Sequence, residues 1–285
     1  MNQLEIEKNI LALTRSRTRN IFPLITKNHL NFNIDRTSRQ YKVAVCLAGG
    51  LRHFEQAQSF ANKFLIEPLN ADVFFFGWSN KEGIFKNTEQ IKKYLNLKDF
   101  KINEISNTKL PVPIVLREKF SIAEEGVEQR CQTILGQFYN IYNSINLALQ
   151  FDNYDIIIRA RPDAFFYSKI QDSDMDVVFT NKVLGIPQNY LSIYCGLTTD
   201  MFAMGNKENM KIYSKIYEHL EEYCNSAPAG TGAEFFVHHH LFAKFNLGIH
   251  NIDMPFMLDF PNDYGPGGEA NKHHRLVYQN DAPKI

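Results

Sequence analysis

What this chain has little of already narrows its role. It carries no net charge, with 31 Lys+Arg against 31 Asp+Glu over 285 residues. A nucleic-acid binder builds a basic face and a high isoelectric point, so that partner class is excluded. It has one tryptophan and four cysteines, Cys46, Cys131, Cys195 and Cys224. No two cysteines stand at C-x-x-C spacing, which removes a structural zinc site. The set reads as reduced thiols in a soluble, cytoplasmic protein. No stretch approaches the length of apolar run that crosses a bilayer. Met1 to Arg19 is interrupted by Glu5, Glu7 and Lys8 and lacks the continuous apolar stretch of a signal peptide. The mildly basic first 40 residues (Arg15, Arg17, Arg19, Lys27, Arg36, Arg39) allow at most a weak membrane-surface contact.

What is present is an α/β rhythm. Val43-Ala44-Val45-Cys46-Leu47-Ala48-Gly49-Gly50 is a short apolar run that ends in two glycines. Such a run marks a strand buried on both faces, as in parallel sheets. A helix over 56–69 follows, then a second apolar strand over 71–78. A helix over 87–97 and a strand over 101–105 continue the alternation, which predicts a mostly parallel sheet wrapped by helices. Residues 110–125, with Pro111 and Pro113, read as a surface loop. The strongest helical signal spans 128–151, where Cys131, Ile134, Leu135, Phe138, Ile141, Ile145 and Leu149 recur at three- and four-residue steps. Strands are expected over 154–166, 183–187, 200–205 and 248–257, and helices over 207–224 and 233–245. Residues 1–40 form an N-terminal extension, 41–260 the main domain, and 261–285 a glycine-bearing tail that reaches over the site.

Several side chains stand where this architecture puts chemistry. Ligands bind outside the carboxyl ends of the strands of an open α/β sheet. Ala48, Gly49, Gly50 and Arg52 occupy such an end, where glycine lets backbone approach a ligand and arginine pairs with a diphosphate. The spacing is neither G-x-G-x-x-G nor G-x-x-x-x-G-K-[ST]. Arg159-Ala160-Arg161-Pro162-Asp163 follows three isoleucines, so charge leaves a buried strand and Pro162 ends its ladder. Arg159 and Arg161 are either diphosphate partners or structural support for Asp163, a rim carboxylate suited to a divalent ion. Asp200 opens a further strand. Glu234 lies in the first helical turn after a glycine loop, where it is either a dipole-favoured residue or a general base. His238, His239 and His240 are consecutive, so they point around a helix and read as structural. His250 is a candidate metal ligand, and His273 and His274 lie in the tail.

In this order these segments resemble a group of glycosyltransferases. The segments are Leu47-Ala48-Gly49-Gly50-Leu51-Arg52, Ala71-Asp72-Val73-Phe74 with Trp78, Tyr154 to Asp163, and Asp200-Met201-Phe202-Ala203-Met204-Gly205. Members of the group occur in bacterial polysaccharide loci, as WavE-like lipopolysaccharide proteins, and in large algal viruses. The resemblance covers roughly residues 42–250. It implies an α/β, GT-A-like fold with a Rossmann-like nucleotide-sugar-binding core, a nucleotide-sugar donor, a glycan acceptor, and Mn²⁺ or Mg²⁺. It puts Asp163 at the place of the D-x-D motif, with Arg161 where the first acid would stand. It makes Glu234, or failing it Asp200, the base of an inverting transfer, with UDP-xylose one candidate donor. Two other readings compete. A sugar-nucleotide pyrophosphorylase also opens with Leu-Ala-Gly-Gly but needs further glycines and a lysine close behind. A non-catalytic glycan-binding protein would keep the aromatics without a base.

Overall fold

Runs of Val, Ile and Phe with small residues between them form the strands at the centre of the sheet. The computed structural model describes residues 40–51, 54–79, 91–92, 95, 97–104, 110–119, 127–151, 153–166, 168–187, 198–227, 232–252, 254 and 256–258. Strand β1 is Val43–Gly50, and β2 is Asp72–Ser79. Helix α1, Phe54–Ala61, joins them through a π-helical turn, Asn62–Ile66, and a last turn, Glu67–Leu69. Then come β3 (Leu97–Glu104), α2 (Ile114–Lys119), α3 (Val127–Leu149), β4 (Ile156–Ala160), β5 (Ala164–Phe166) and α4 (Asp172–Asn181). They are followed by β6 (Leu184–Pro187), β7 (Phe202–Gly205), α5 (Lys207–Ser214), α6 (Ile216–Ser226) and α7 (Ala233–His238). Helix α7 continues as a π-helical segment, His239–Lys244, before β8 (Ile249–Ile252) and β9 (Phe256–Leu258).

Seven strands form one sheet in the order β3-β2-β1-β4-β7-β6-β8. β7 runs antiparallel to both its neighbours, β4 and β6, and the other pairings are parallel. β5 and β9 make a separate antiparallel pair. The expected α/β fold with a mostly parallel central sheet flanked by helices is therefore the one the chain forms. Both faces are covered at the centre, which is why β1, β2 and β4 are mostly apolar. The edge strands β3 and β8 instead carry Lys98, Asp99, Lys101, His250 and Asn251. Ala44, Cys46, Phe74, Ile157 and Ala203 pack under α3, α5, α6 and α7. Val45, Leu47, Phe75, Ile158 and Met204 pack on the other side, against Phe54, Leu65, Met175 and Val178.

The structure corrects the expected elements in five places. Residues 154–166 are not one strand: Pro162 breaks the ladder and sends β5 to the second sheet. Residues 207–224 bend at Lys215 into two helices. Residues 248–257 divide into β8 and β9. Part of the expected 110–125 loop is α2, whose first turn hydrogen-bonds Leu116 and Arg117 back to the Pro113 carbonyl. That is a sound use of proline at a helix start. Helix α4 was not expected at all. The extension, the tail with His273 and His274, Cys195, Arg52 and most of the expected 87–97 helix lie outside the described residues.

The order of strands sets where a ligand goes. From β1 the chain adds β2 and β3 on one side, then returns after α3 to place β4 on the other side of β1. The carboxyl ends of β1 and β4 thus flank a topological switch point, where open α/β sheets form a crevice.

Candidate functional site

Gly49 and Gly50 close β1 on one side of that crevice. Gly49 has φ +138°, a conformation that favours glycine. A side chain there would meet the Pro162 ring at 3.5 Å, so the β1 end and the turn after β4 touch. Gly77 on β2 is tied to the same place. A Cβ at Gly77 would lie 2.0 Å from the Gly49 carbonyl oxygen, so only glycine fits beside it. Ala48 is buried in the core.

After Ala160 the chain turns. Arg161 Nε donates to Asp163 Oδ1 at 2.8 Å and Nη2 donates to Oδ2 at 2.7 Å. This two-pronged pair is largely sheltered, with 17% and 6% of the two side chains exposed. Arg159 goes elsewhere. Its position in β4 is level with Cys46 and Ala203, on the face covered by α3 and α5. Only 1% of it is exposed. Burial lowers its pKa against the nearby Tyr213 and Asp200. Its Nη1 donates to the backbone carbonyl of Asp200. The expectation that Arg159 contacts the donor is therefore corrected: alternation along the strand points it into the core, where it supports the Asp200 segment.

The reversed strand β7 is what brings Asp200 to this edge. β7 starts level with the end of β4, Phe202 opposite Ala160, so Asp200 sits at the same rim as Asp163. Asp200 is itself 4% exposed, and its Oδ2 accepts from Gln137 on α3. Met201 N–H donates to the Thr199 hydroxyl. Thr198 Oγ1 pairs with His238 Nδ1 at 3.3 Å, linking the Asp200 segment to α7.

Glu234 completes the group. It enters on the first turn of α7, which is held to α3 by the edge-on contact of Phe236 with Phe138, 6.2 Å between ring centroids. The half-buried Glu234 carboxyl is pushed up to about 7, by burial first and then by the Asp200 carboxylate. Its own backbone N–H and Arg161 pull the other way. Four of the expected residues, Arg161, Asp163, Asp200 and Glu234, therefore converge at the switch point with Gly49 and Gly50. Gln137 was missed. Its signal was a polar residue beside the buried stripe of α3, between Ile134, Leu135 and Phe138. Thr198 and Gly77 were missed as well.

The three consecutive histidines part company, as expected. His238 meets Thr198, His239 packs on Tyr223 and Phe235, and His240 bonds the Tyr223 hydroxyl at 2.5 Å and the Ile212 carbonyl at 2.7 Å.

The donor set does not suit the divalent ion that the resemblance implied. Both oxygens of Asp163 are engaged by the Arg161 guanidinium. His250 is not near Asp163. It lies on β8, three strands along the sheet from β4, with Nε2 paired to Asp174 Oδ1 at 2.7 Å. Among the described residues no three His, Cys, Asp or Glu side chains cluster closely enough to hold a metal. Nor is any described helix long and apolar enough to cross a membrane.

The fold and the site define an α/β protein with a mostly parallel sheet and an acid–guanidinium group at its switch point. The chain belongs to the DUF7796 family, a domain of unknown function, which it matches over residues 38–222. No curated protein matches it in sequence. Among solved structures it is similar to mouse xyloside xylosyltransferase 1, at 12% identity and a TM-score of 0.44, over 75% of this chain and 85% of that one. It is also similar to core-mannan synthase A from Aspergillus fumigatus in its Mn/GDP form, at 12% identity and a TM-score of 0.48, over 78% and 76%. A third is the mannosyltransferase Ktr4p from S. cerevisiae in complex with GDP, at 12% identity and a TM-score of 0.47, over 88% and 80%.

Proposed function

We propose that the protein is a glycosyltransferase that moves a sugar from a nucleotide-sugar donor to a glycan hydroxyl with inversion. The observation that carries this reading is Glu234. A carboxyl group with a pKa of about 7, at the mouth of the crevice beside Asp200 and Arg161, suits a general base that works at neutral pH. The donor diphosphate lies against the Gly49-Gly50 backbone with Arg161 facing its charge, and Arg52 follows Gly50 after one residue, Leu51. A UDP-sugar is the favoured donor, UDP-xylose among the candidates.

In the transfer, Glu234 accepts the proton of the acceptor hydroxyl as that oxygen bonds to the sugar's C1. The bond from C1 to the diphosphate oxygen breaks, and its electron pair leaves with the nucleoside diphosphate. Asp200 keeps Glu234 basic through like-charge repulsion and is the alternative base should Glu234 not serve.

The test is release of nucleoside diphosphate from UDP- and GDP-sugars in the presence of glycan acceptors, by the natural protein and by Glu234→Gln. Turnover that drops by roughly 10²–10⁴ in the variant supports the assignment. Unchanged turnover removes Glu234 from the role. Release of pyrophosphate from a nucleoside triphosphate and a sugar phosphate would make the protein a pyrophosphorylase instead. If no donor is bound or consumed, the enzyme reading fails and a glycan-binding role takes its place.

A further inference from the structure

A GT-A-like fold implies a divalent ion on the donor diphosphate, yet the acid expected to hold it already holds something else. We propose that the Arg161–Asp163 pair stands in the metal's place, and that the nucleotide donor binds and reacts here without a divalent cation. The proposal rests on the transferase reading above and goes beyond it by naming what neutralises the leaving group.

Position is the first support. Arg161 is the residue immediately after β4, at the carboxyl edge of the sheet, and its neighbour Pro162 lies against the Gly49 turn. Any group bound at the switch point therefore meets this turn. Pre-organisation is the second. Two parallel hydrogen bonds, 2.8 and 2.7 Å, fix both the plane and the direction of the guanidinium. A fixed, planar donor matches phosphate oxygens better than a flexible ammonium does.

Exclusion is the third support. An ion bound by Asp163 would have to share carboxylate oxygens that already accept from the guanidinium, and would sit beside its positive charge. Arg159, buried in the core two residues earlier, is a second positive charge that interacts with Arg161, and a bound cation would add to that repulsion. The other acids at the rim do not restore a cage. Asp200 accepts from Gln137, and Glu234 stands on the side proposed for the acceptor. In the reaction the guanidinium moves no proton. It meets the charge that appears on the diphosphate oxygen when the C1–O bond breaks, while Glu234 takes the acceptor proton.

The experiment is titration calorimetry of the full chain with UDP and with GDP, once in EDTA and once in Mn²⁺ or Mg²⁺. At least one nucleotide is expected to bind in EDTA with an affinity within about twofold of that in metal, a difference well under one factor of ten. Arg161→Met should weaken that nucleotide roughly tenfold to a hundredfold, the range of a lost charge-assisted bond. The double variant Arg161→Met/Asp163→Asn leaves no buried unpaired carboxylate. It should fold and show the same loss, with folding checked by circular dichroism. Binding that appears only with the cation overturns the proposal and leaves the transferase reading standing. Natural affinity in the double variant also overturns it. Failure of both nucleotides to bind in either buffer overturns the transferase reading along with it.

Discussion

The guanidinium of Arg159 reaches from the core face of β4 to the backbone carbonyl of Asp200, two residues before β7 begins. One buried side chain thus ties the carboxyl end of a parallel strand to the start of the antiparallel strand beside it. The site's acids are held at a common rim by this tie and by Gln137. Replacing Arg159 with Met removes the donor and leaves the buried carbonyl unsatisfied, at a cost of about 1–3 kcal/mol. For a chain of this size that corresponds to a fall in Tm of roughly 2–10 °C, read by thermal unfolding. Turnover should fall too, because Asp200 loses its anchor.

Glu234 should be costly to the fold because of the same surroundings that make it useful. Its pKa is raised to about 7 from an ordinary 4.5, so the folded protein holds a proton that the unfolded chain has released. The stabilising effect of that proton is complete below pH 4.5 and is lost as the pH rises through about 7. Glu234→Gln removes the ionisation. It should raise stability at pH 8 by about 1 kcal/mol or more while turnover collapses, measured as Tm and as nucleotide release on the same preparations. Asp200→Asn makes the complementary test. Without that neighbouring charge the acid limb of the kcat/KM profile should move down by up to about one pH unit.

Much of this frame was legible in the sequence, for identifiable reasons. The apolar runs of β1, β2 and β4 and the stripe of α3 carry their own period, and Pro162 marked the end of β4. Direction is not written in alternation, so the reversal of β7, and with it the arrival of Asp200 at the rim, could not be read. Whether Arg159 meets a ligand or supports the rim stays open in the sequence, because charge in a strand fits both. Strand alternation places it on one face of the sheet, but which helices cover that face is decided by crossover connections far away in sequence. Gln137 looked like any polar residue on a long helix until the Asp200 segment packed against it. Helix α2 was hidden by Pro111 and Pro113, read as loop formers when Pro113 starts the helix.

The α6–α7 region should make the protein acid-labile. His238 and His240 are both pushed down to about 4, chiefly by burial, from an ordinary 6.5. Between those values the unfolded chain takes up protons that the folded one refuses, so stability is lost as pH falls from about 6.5 towards 4. Urea unfolding at pH 7.5 and at pH 5 should show a net loss of about 1–2 kcal/mol, because the two histidine contributions outweigh the opposing gain from Glu234. His240→Gln should flatten the slope. A slope unchanged in that variant would move the acid sensitivity away from His240.

Gly77 offers the sharpest test of how the crevice is built, because its tightest neighbour is the backbone of the next strand. It lies level with Gly49 across the β1–β2 ladder, where a methyl group would sit 2.0 Å from the Gly49 carbonyl oxygen and 2.7 Å from the Phe75 ring. The ring can swing aside, but the carbonyl belongs to the backbone of the turn that abuts Pro162. Gly77→Ala must therefore push the β1 end towards the Arg161–Asp163 turn or part the two strands. Overpacking of this kind costs roughly 1–3 kcal/mol where side chains can yield, and more is expected here because backbone must move. Gly50→Ala is the matched control, since a Cβ there meets nothing within 4 Å. If Gly77→Ala lowers Tm and weakens nucleotide binding while Gly50→Ala leaves Tm unchanged, the β1 turn is positioned from β2. Equal behaviour of the two variants would show that the turn is set by β1 alone.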